Sequence, residues 1–138
     1  MKAVPFDPSR DLETMPFTLR HAELAKEMKR LGIDWHPHVG CFVWDPEGYI
    51  RANSPFPQRI YFILSLPRFI EIFGTIAAMA EYLVWMPTWH QTRLLCRRYQ
   101  MPDEISAKIL IGAASQNPGE ELIALYNLII DFLRKRSG

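Results

Sequence analysis

A chain of 138 residues with 49% hydrophobic and 22% charged side chains has the size and composition of one globular domain with a buried core. Its formal net charge of +1 argues against a protein built around phosphate contacts, although a local basic patch remains compatible with it. Two cysteines, Cys41 and Cys96, cannot make a disulfide framework and fit a reducing compartment.

Residues 1–16 read as an extended arm marked by Pro5, Pro8 and Pro16, with Val4 and Phe6 available to dock onto the body. Asp7, Arg10, Asp11 and Glu13 do not suit a secretory leader, so a cytoplasmic location is expected. Residues 17–138 read as a single domain. Thr18 is placed to cap a helix whose apolar stripe is Leu19, Ala22, Ala25 and Met28, and Gly32 is placed to end it. A loop around Pro37 follows. Residues 41–51 then read as a β-hairpin, in which Asp45-Pro46-Glu47-Gly48 has turn chemistry and aromatic and β-branched residues flank it. Arg59 to Leu64 is a further strand, apolar enough to be covered on both faces.

Ser65 and Pro67 open a helix carrying Phe69, Ile72, Phe73, Ile76 and Ala80 at helical spacing and ending near Glu81; Tyr82 to Met86 reads as a short strand. The stretch Phe69–Met86 is apolar enough to raise a membrane question, but Glu71 and Glu81 interrupt it. A span needs ~20 largely apolar residues, and a charge near its centre costs roughly 3 kcal/mol, so interior packing and no membrane are expected. Thr88-Trp89-His90-Gln91 has the form of a capping box behind the helix-breaking Pro87 and starts a helix running to about Tyr99. Pro102 and Asp103 open another, Ile105 to Ala114. Asn117-Pro118-Gly119-Glu120 launches the last, Glu121 to Arg136, led by acidic residues and ended by Arg134, Lys135 and Arg136 in accord with its dipole. The expected fold is α+β: a small, mostly antiparallel sheet of three to four strands, including the 41–51 hairpin, packed against about five helices.

Candidate chemistry centres on Asp34-x-His36-x-His38-x-x-Cys41. Imidazoles and a thiolate are zinc ligands, so His36, His38 and Cys41 form a candidate metal set, although the spacing matches none of the strong zinc patterns. The same loop would serve a thiol nucleophile beside an imidazole; otherwise no cofactor is expected. The pairs Asp103–Glu104 and Glu120–Glu121 sit in first helical turns, where dipole and capping effects account for them. No dinucleotide, Walker or nucleophile-elbow motif is present. Arg93, Arg97 and Arg98, with Trp89, His90 and Tyr99 on one helix, make a candidate nucleic-acid surface. On the last helix Leu122, Leu125, Tyr126, Ile129 and Leu133 form a stripe flanked by Ile123, Ile130 and Phe132, so wide that it belongs either to the core or to an interface with a second chain. Leu122, Tyr126, Ile129, Ile130 and Leu133 are the candidate interface residues.

Trp85-Met86-Pro87-Thr88-Trp89-His90-Gln91, followed by Leu94-Leu95, resembles a W-x-P-T-x-x-Q segment of small bacterial proteins, often of prophage or mobile-element type. The resemblance implies an accessory protein and carries no activity. The expected function is therefore that of a non-enzymatic bacterial or phage-type accessory protein acting through a protein partner or as a homodimer. The alternatives are a metal- or thiol-dependent enzyme built on His36, His38 and Cys41, and a nucleic-acid-binding protein built on Arg93, Arg97 and Arg98.

Overall fold

The computed structural model describes residues 7–12, 15–54, 56–113 and 117–137. Val4 and Phe6 of the arm lie outside the described residues, as does Ala114, the expected end of the fifth helix. Within the arm, residues 7–11 curl into a turn instead of staying extended. The Asp7 carboxylate accepts the Ser9 amide (3.0 Å) and hydroxyl (2.7 Å), which holds it below the usual carboxylate range, and the Asp7 carbonyl accepts the amides of Arg10 and Asp11.

Among the described residues the chain forms six α-helices and three short strands in an α+β arrangement: α1 (Leu19–Arg30), β1 (Phe42–Trp44), β2 (Ile60–Phe62), α2 (Leu66–Phe73), α3 (Ile76–Tyr82), β3 (Val84–Met86), α4 (Trp89–Arg98), α5 (Asp103–Ala113) and α6 (Pro118–Ser137). The sheet is antiparallel with order β2-β1-β3; Val43, at the centre, faces Tyr61 on one side and Trp85 on the other. Every residue of β3 is buried. Among the described residues no helix is long and apolar enough to cross a membrane.

The 41–51 hairpin does not form as expected. β1 is a strand, but residues 49–51 are not, because the fully buried Asp45 carboxylate takes the amides of Gly48 (3.1 Å), Tyr49 (3.1 Å) and Ile50 (2.7 Å) that a ladder would need. The true hairpin partner is β2, one loop later. That loop closes where Arg59 donates to the Asp45 carbonyl (3.1 Å), the Asp45 carboxylate (3.2 Å) and the Ile50 carbonyl (2.8 Å). Gln58 and Arg59 both take positive φ, 63° and 62°, a cost for residues with side chains that these charge-assisted bonds offset.

The expected helix 65–81 breaks in two. Gly74 adopts φ 90° at the end of α2, and the Thr75 hydroxyl accepts the Ala78 amide (3.0 Å) to start α3. Interior packing of this apolar stretch is only partly realised: α2 contributes no buried residue and α3 only Met79.

Three helices run in the same sense. α1 and α6 meet at their first turns, where His21 bonds the Gly119 carbonyl (2.8 Å), and again at their last, where Arg136 donates to the Gly32 carbonyl (3.2 Å). α4 follows α6 from the Tyr126–Pro87 contact to the stacked Tyr99–Phe132 pair (4.5 Å between centroids). The Tyr126 hydroxyl, fully buried and pushed to a higher pKa by that burial, donates to the Pro87 carbonyl at 2.5 Å. Tyr126→Phe should therefore lower the unfolding free energy by about 1–2 kcal/mol in a denaturant melt, since the carbonyl loses its partner.

Candidate functional site

The three aligned helices bring three N-termini to one end of the molecule, and each is capped by the residues that start it. At α4 the Thr88 hydroxyl accepts the Gln91 amide (3.2 Å) and Gln91 Oε1 accepts the Thr88 amide (2.9 Å), the capping box expected from the sequence. At α6 Asn117 Oδ1 accepts the Glu120 amide (3.0 Å). At α1 the third position is His21, buried, whose Nδ1 accepts from the Thr18 amide (3.1 Å) and lies 2.8 Å from its hydroxyl. An amide can only donate, so Nδ1 is unprotonated and Nε2 donates to the Gly119 carbonyl. Burial lowers the His21 pKa, partly opposed by that carbonyl and by Glu120.

Between these ends lies an open cleft of about 1050 Å³. Phe17, Phe42, Leu122 and Ile123 supply its apolar wall, Trp89 and His90 one side, and Asp11, Arg20, Glu120 and Glu121 the charged rim, where Arg20 pairs with Glu120 at 3.7 Å. His21 has both ring nitrogens committed and acts here as a structural joint. The first turns of α4 and α6 were legible as caps, but nothing in the spacing of T-L-R-H, T-W-H-Q and N-P-G-E shows that they share one end. His21 carries a signal only in hindsight of its position, three residues after a capping Thr.

The loop 34–40 divides the candidate metal set. His38 Nε2 lies 3.2 Å from Cys41 Sγ, whereas the exposed His36 does not join them: among the described residues no group of three His, Cys, Asp or Glu side chains is placed to hold a metal ion. Cys41 is fully buried just before β1. Cys96, buried on α4, has its thiol pKa raised by burial.

Arg97 and Arg98 are exposed on α4, while Arg93 is half-buried with Nη1 out of contact with any acceptor among the described residues. The basic residues at the ends of the three parallel helices gather together: Arg136 lies over the rings of Tyr99 (5.5 Å) and Phe132 (5.9 Å), and Arg134 reaches Glu27 of α1 (3.7 Å). Three aligned dipoles place partial negative charge at this end, which Arg30, Arg97, Arg98, Arg134, Lys135 and Arg136 complement, while Lys29 donates to the carbonyls of Glu81 and Leu83 (3.0 Å).

The stripe on α6 is not an exposed interface. Leu122, Tyr126, Ile129, Ile130 and Leu133 are all buried in this chain's own core, because α1, α4 and α5 pack around α6 and fill its wide apolar face. The surplus apolar surface lies instead on α2 and α3. Leu66, Phe69, Ile70 and Phe73 rest on the core half-covered, while Leu64, Ile72 and Ile76 are 75%, 47% and 44% exposed. Tyr49, Phe73 and Tyr82 form one aromatic cluster beside them, with centroids 4.8–6.3 Å apart. Arg68 and Glu71 on α2 and Glu81 on α3 are exposed as well. Comparison with family models, with curated proteins and with solved structures found no match.

Proposed function

We propose that the protein is a non-enzymatic accessory protein of bacterial or phage type that works by binding protein, and that the α2–α3 hairpin is the surface it uses, in the first instance to pair with a second copy of itself. One observation carries the reading: α2 has an amphipathic pattern, yet none of its eight residues is buried, and the apolar residues on either side of it are exposed. A contiguous apolar patch with a polar edge marks an interaction surface more often than it marks ordinary solvent-facing structure. The exposed charges of α2 and α3 carry both signs, Arg68 with Glu71 and Glu81, so a second copy of the same surface offers carboxylates to each copy's arginine. Such an interface typically buries ~800 Å² per partner, and a charge placed at its centre is costly.

Sedimentation equilibrium tests the reading. The wild type should dimerise in the micromolar range, and Ile72→Asp should weaken the association at least tenfold with little change in melting temperature, since Ile72 is 47% exposed. A wild type that remains monomeric at about 100 µM would remove the self-association reading.

A further inference from the structure

We propose that the end of the molecule opposite the cleft is a nucleic-acid surface, at which the last turns of α1, α4 and α6 hold a phosphodiester backbone. Contacts between the helices bring their cations together. Glu27 of α1 pairs with Arg30 and with Arg134 of α6 (3.7 Å), so two guanidinium groups share one carboxylate. Arg136 donates to the Gly32 carbonyl just beyond α1 (3.2 Å) and lies over the Tyr99 ring just beyond α4 (5.5 Å). Tyr99 directly follows Arg97 and Arg98, so the three helix ends make one continuous basic surface.

The supply of positive charge exceeds local need. Arg97, Arg98, Lys135 and Arg136 are all exposed, and among the described residues none of them lies within ion-pair distance of a carboxylate. Three helix C-termini together present about 1.5 negative charges, fewer than these four cations supply. Asp103 and Glu104 answer the dipole of α5, which they open, and Asp131 stands one turn back on α6.

The side chains themselves select phosphate. Arg97, Arg98 and Arg136 carry planar guanidinium forks, each of which matches two phosphate oxygens at once. Arg136 is already oriented by the Gly32 carbonyl and by the rings of Tyr99 and Phe132, so it loses little freedom when its remaining donors meet a ligand. A membrane surface would call for apolar groups to insert, and among the described residues the last turns of α1, α4 and α6 expose no large apolar side chain. Helix ends rather than a helix face are presented, so the contacts fall on phosphates and read no sequence.

Fluorescence anisotropy of the full chain tests the proposal with two labelled probes of mixed sequence, a DNA duplex of ~20 base pairs and a single-stranded RNA of ~20 nucleotides. At least one should bind with a Kd of about 1–100 µM in low salt, and with four phosphate contacts a fourfold rise in salt should weaken duplex binding about a hundredfold. The triple variant Arg97→Gln, Arg98→Gln, Lys135→Gln changes exposed side chains only, and circular dichroism should show it folded. It should bind at least tenfold more weakly and with a shallower dependence on salt. Arg10→Gln removes a guanidinium beside Asp11 of the cleft and should change neither quantity. No binding of either probe, an affinity indifferent to salt, or a folded triple variant that binds like the wild type would each overturn the proposal. So would co-sedimentation with phosphatidylserine vesicles in the absence of nucleic-acid binding, which would assign this end to a membrane surface instead.

Discussion

Asp45→Ala should be among the most damaging single substitutions in this chain, costing roughly 2–4 kcal/mol because it strips the acceptor from a buried amide, two further amides and a half-exposed guanidinium at once. The carboxylate is fully buried and accepts three backbone amides together with the Arg59 guanidinium, so the alanine variant leaves the buried Ile50 amide unsatisfied and takes the side-chain acceptor from those of Gly48 and Tyr49. It also frees Arg59 from the conformation that its bonds sustain at φ 62°, and with it the entry into β2. A domain of this size loses about 2–4 °C per kcal/mol, so the melting temperature should fall on the order of 10 °C. Asp45→Asn, which keeps one carbonyl oxygen for the amides, should fall between wild type and alanine. A thermal melt that drops by only a degree or two in the alanine variant would show that the loop is held by something else.

The second large effect is pH-dependent and runs through His21. Burial holds its pKa below that of a free histidine, and Arg20 lowers it further, against the opposing Gly119 carbonyl and Glu120. As pH falls through ~6.5 the unfolded chain takes up the proton before the folded one does. Between the two pKa values the unfolded state binds more protons, so stability rises with pH there and is lost on acidification, by at most about 1.4 kcal/mol per pH unit. Protonation would also set an Nδ1 hydrogen against the Thr18 amide and break the cap of α1, while Nε2 keeps its bond to the Gly119 carbonyl. His21→Gln completes a Thr-x-x-Gln box without a titrating group at this position, so its stability should fall less than that of the wild type between pH 7 and 5. Asp7, Asp11 and Glu27, each held below the ordinary carboxylate range by hydrogen bonds, titrate below this window and leave the comparison clean. Parallel slopes for the two proteins would remove His21 as the cause.

Much of the fold is legible where local chemistry and tertiary structure agree. Thr88 and Gln91 satisfy each other's amides with no help from distant residues, so the start of α4, and with it the separate strand β3 before Pro87, can be read directly. Asp45 defeats the same kind of reading. Asp-Pro-Glu-Gly has turn chemistry in any chain, but the amides that follow it pair with the Asp45 side chain once Arg59, fourteen residues on, neutralises the carboxylate. Gly74 similarly looks tolerable inside a helix until its positive φ splits α2 from α3. The breadth of the α6 stripe was readable, but whether chain neighbours or a second copy cover it depends on three helices arriving from elsewhere. The cleft was out of reach for the same reason: Asp11, Arg20, His90 and Glu120 line one cleft only because the arm and three helices share one pole.

That shared pole has an electrical consequence. With α1, α4 and α6 all pointing one way, Asp11, Glu120 and Glu121 lie at the cleft and guanidinium groups at the opposite tip, so the formal +1 describes neither end. A molecule of this kind is bipolar in the manner of a bar magnet. What it meets first in a crowded solution depends on its orientation, and its isoelectric point says little about either face.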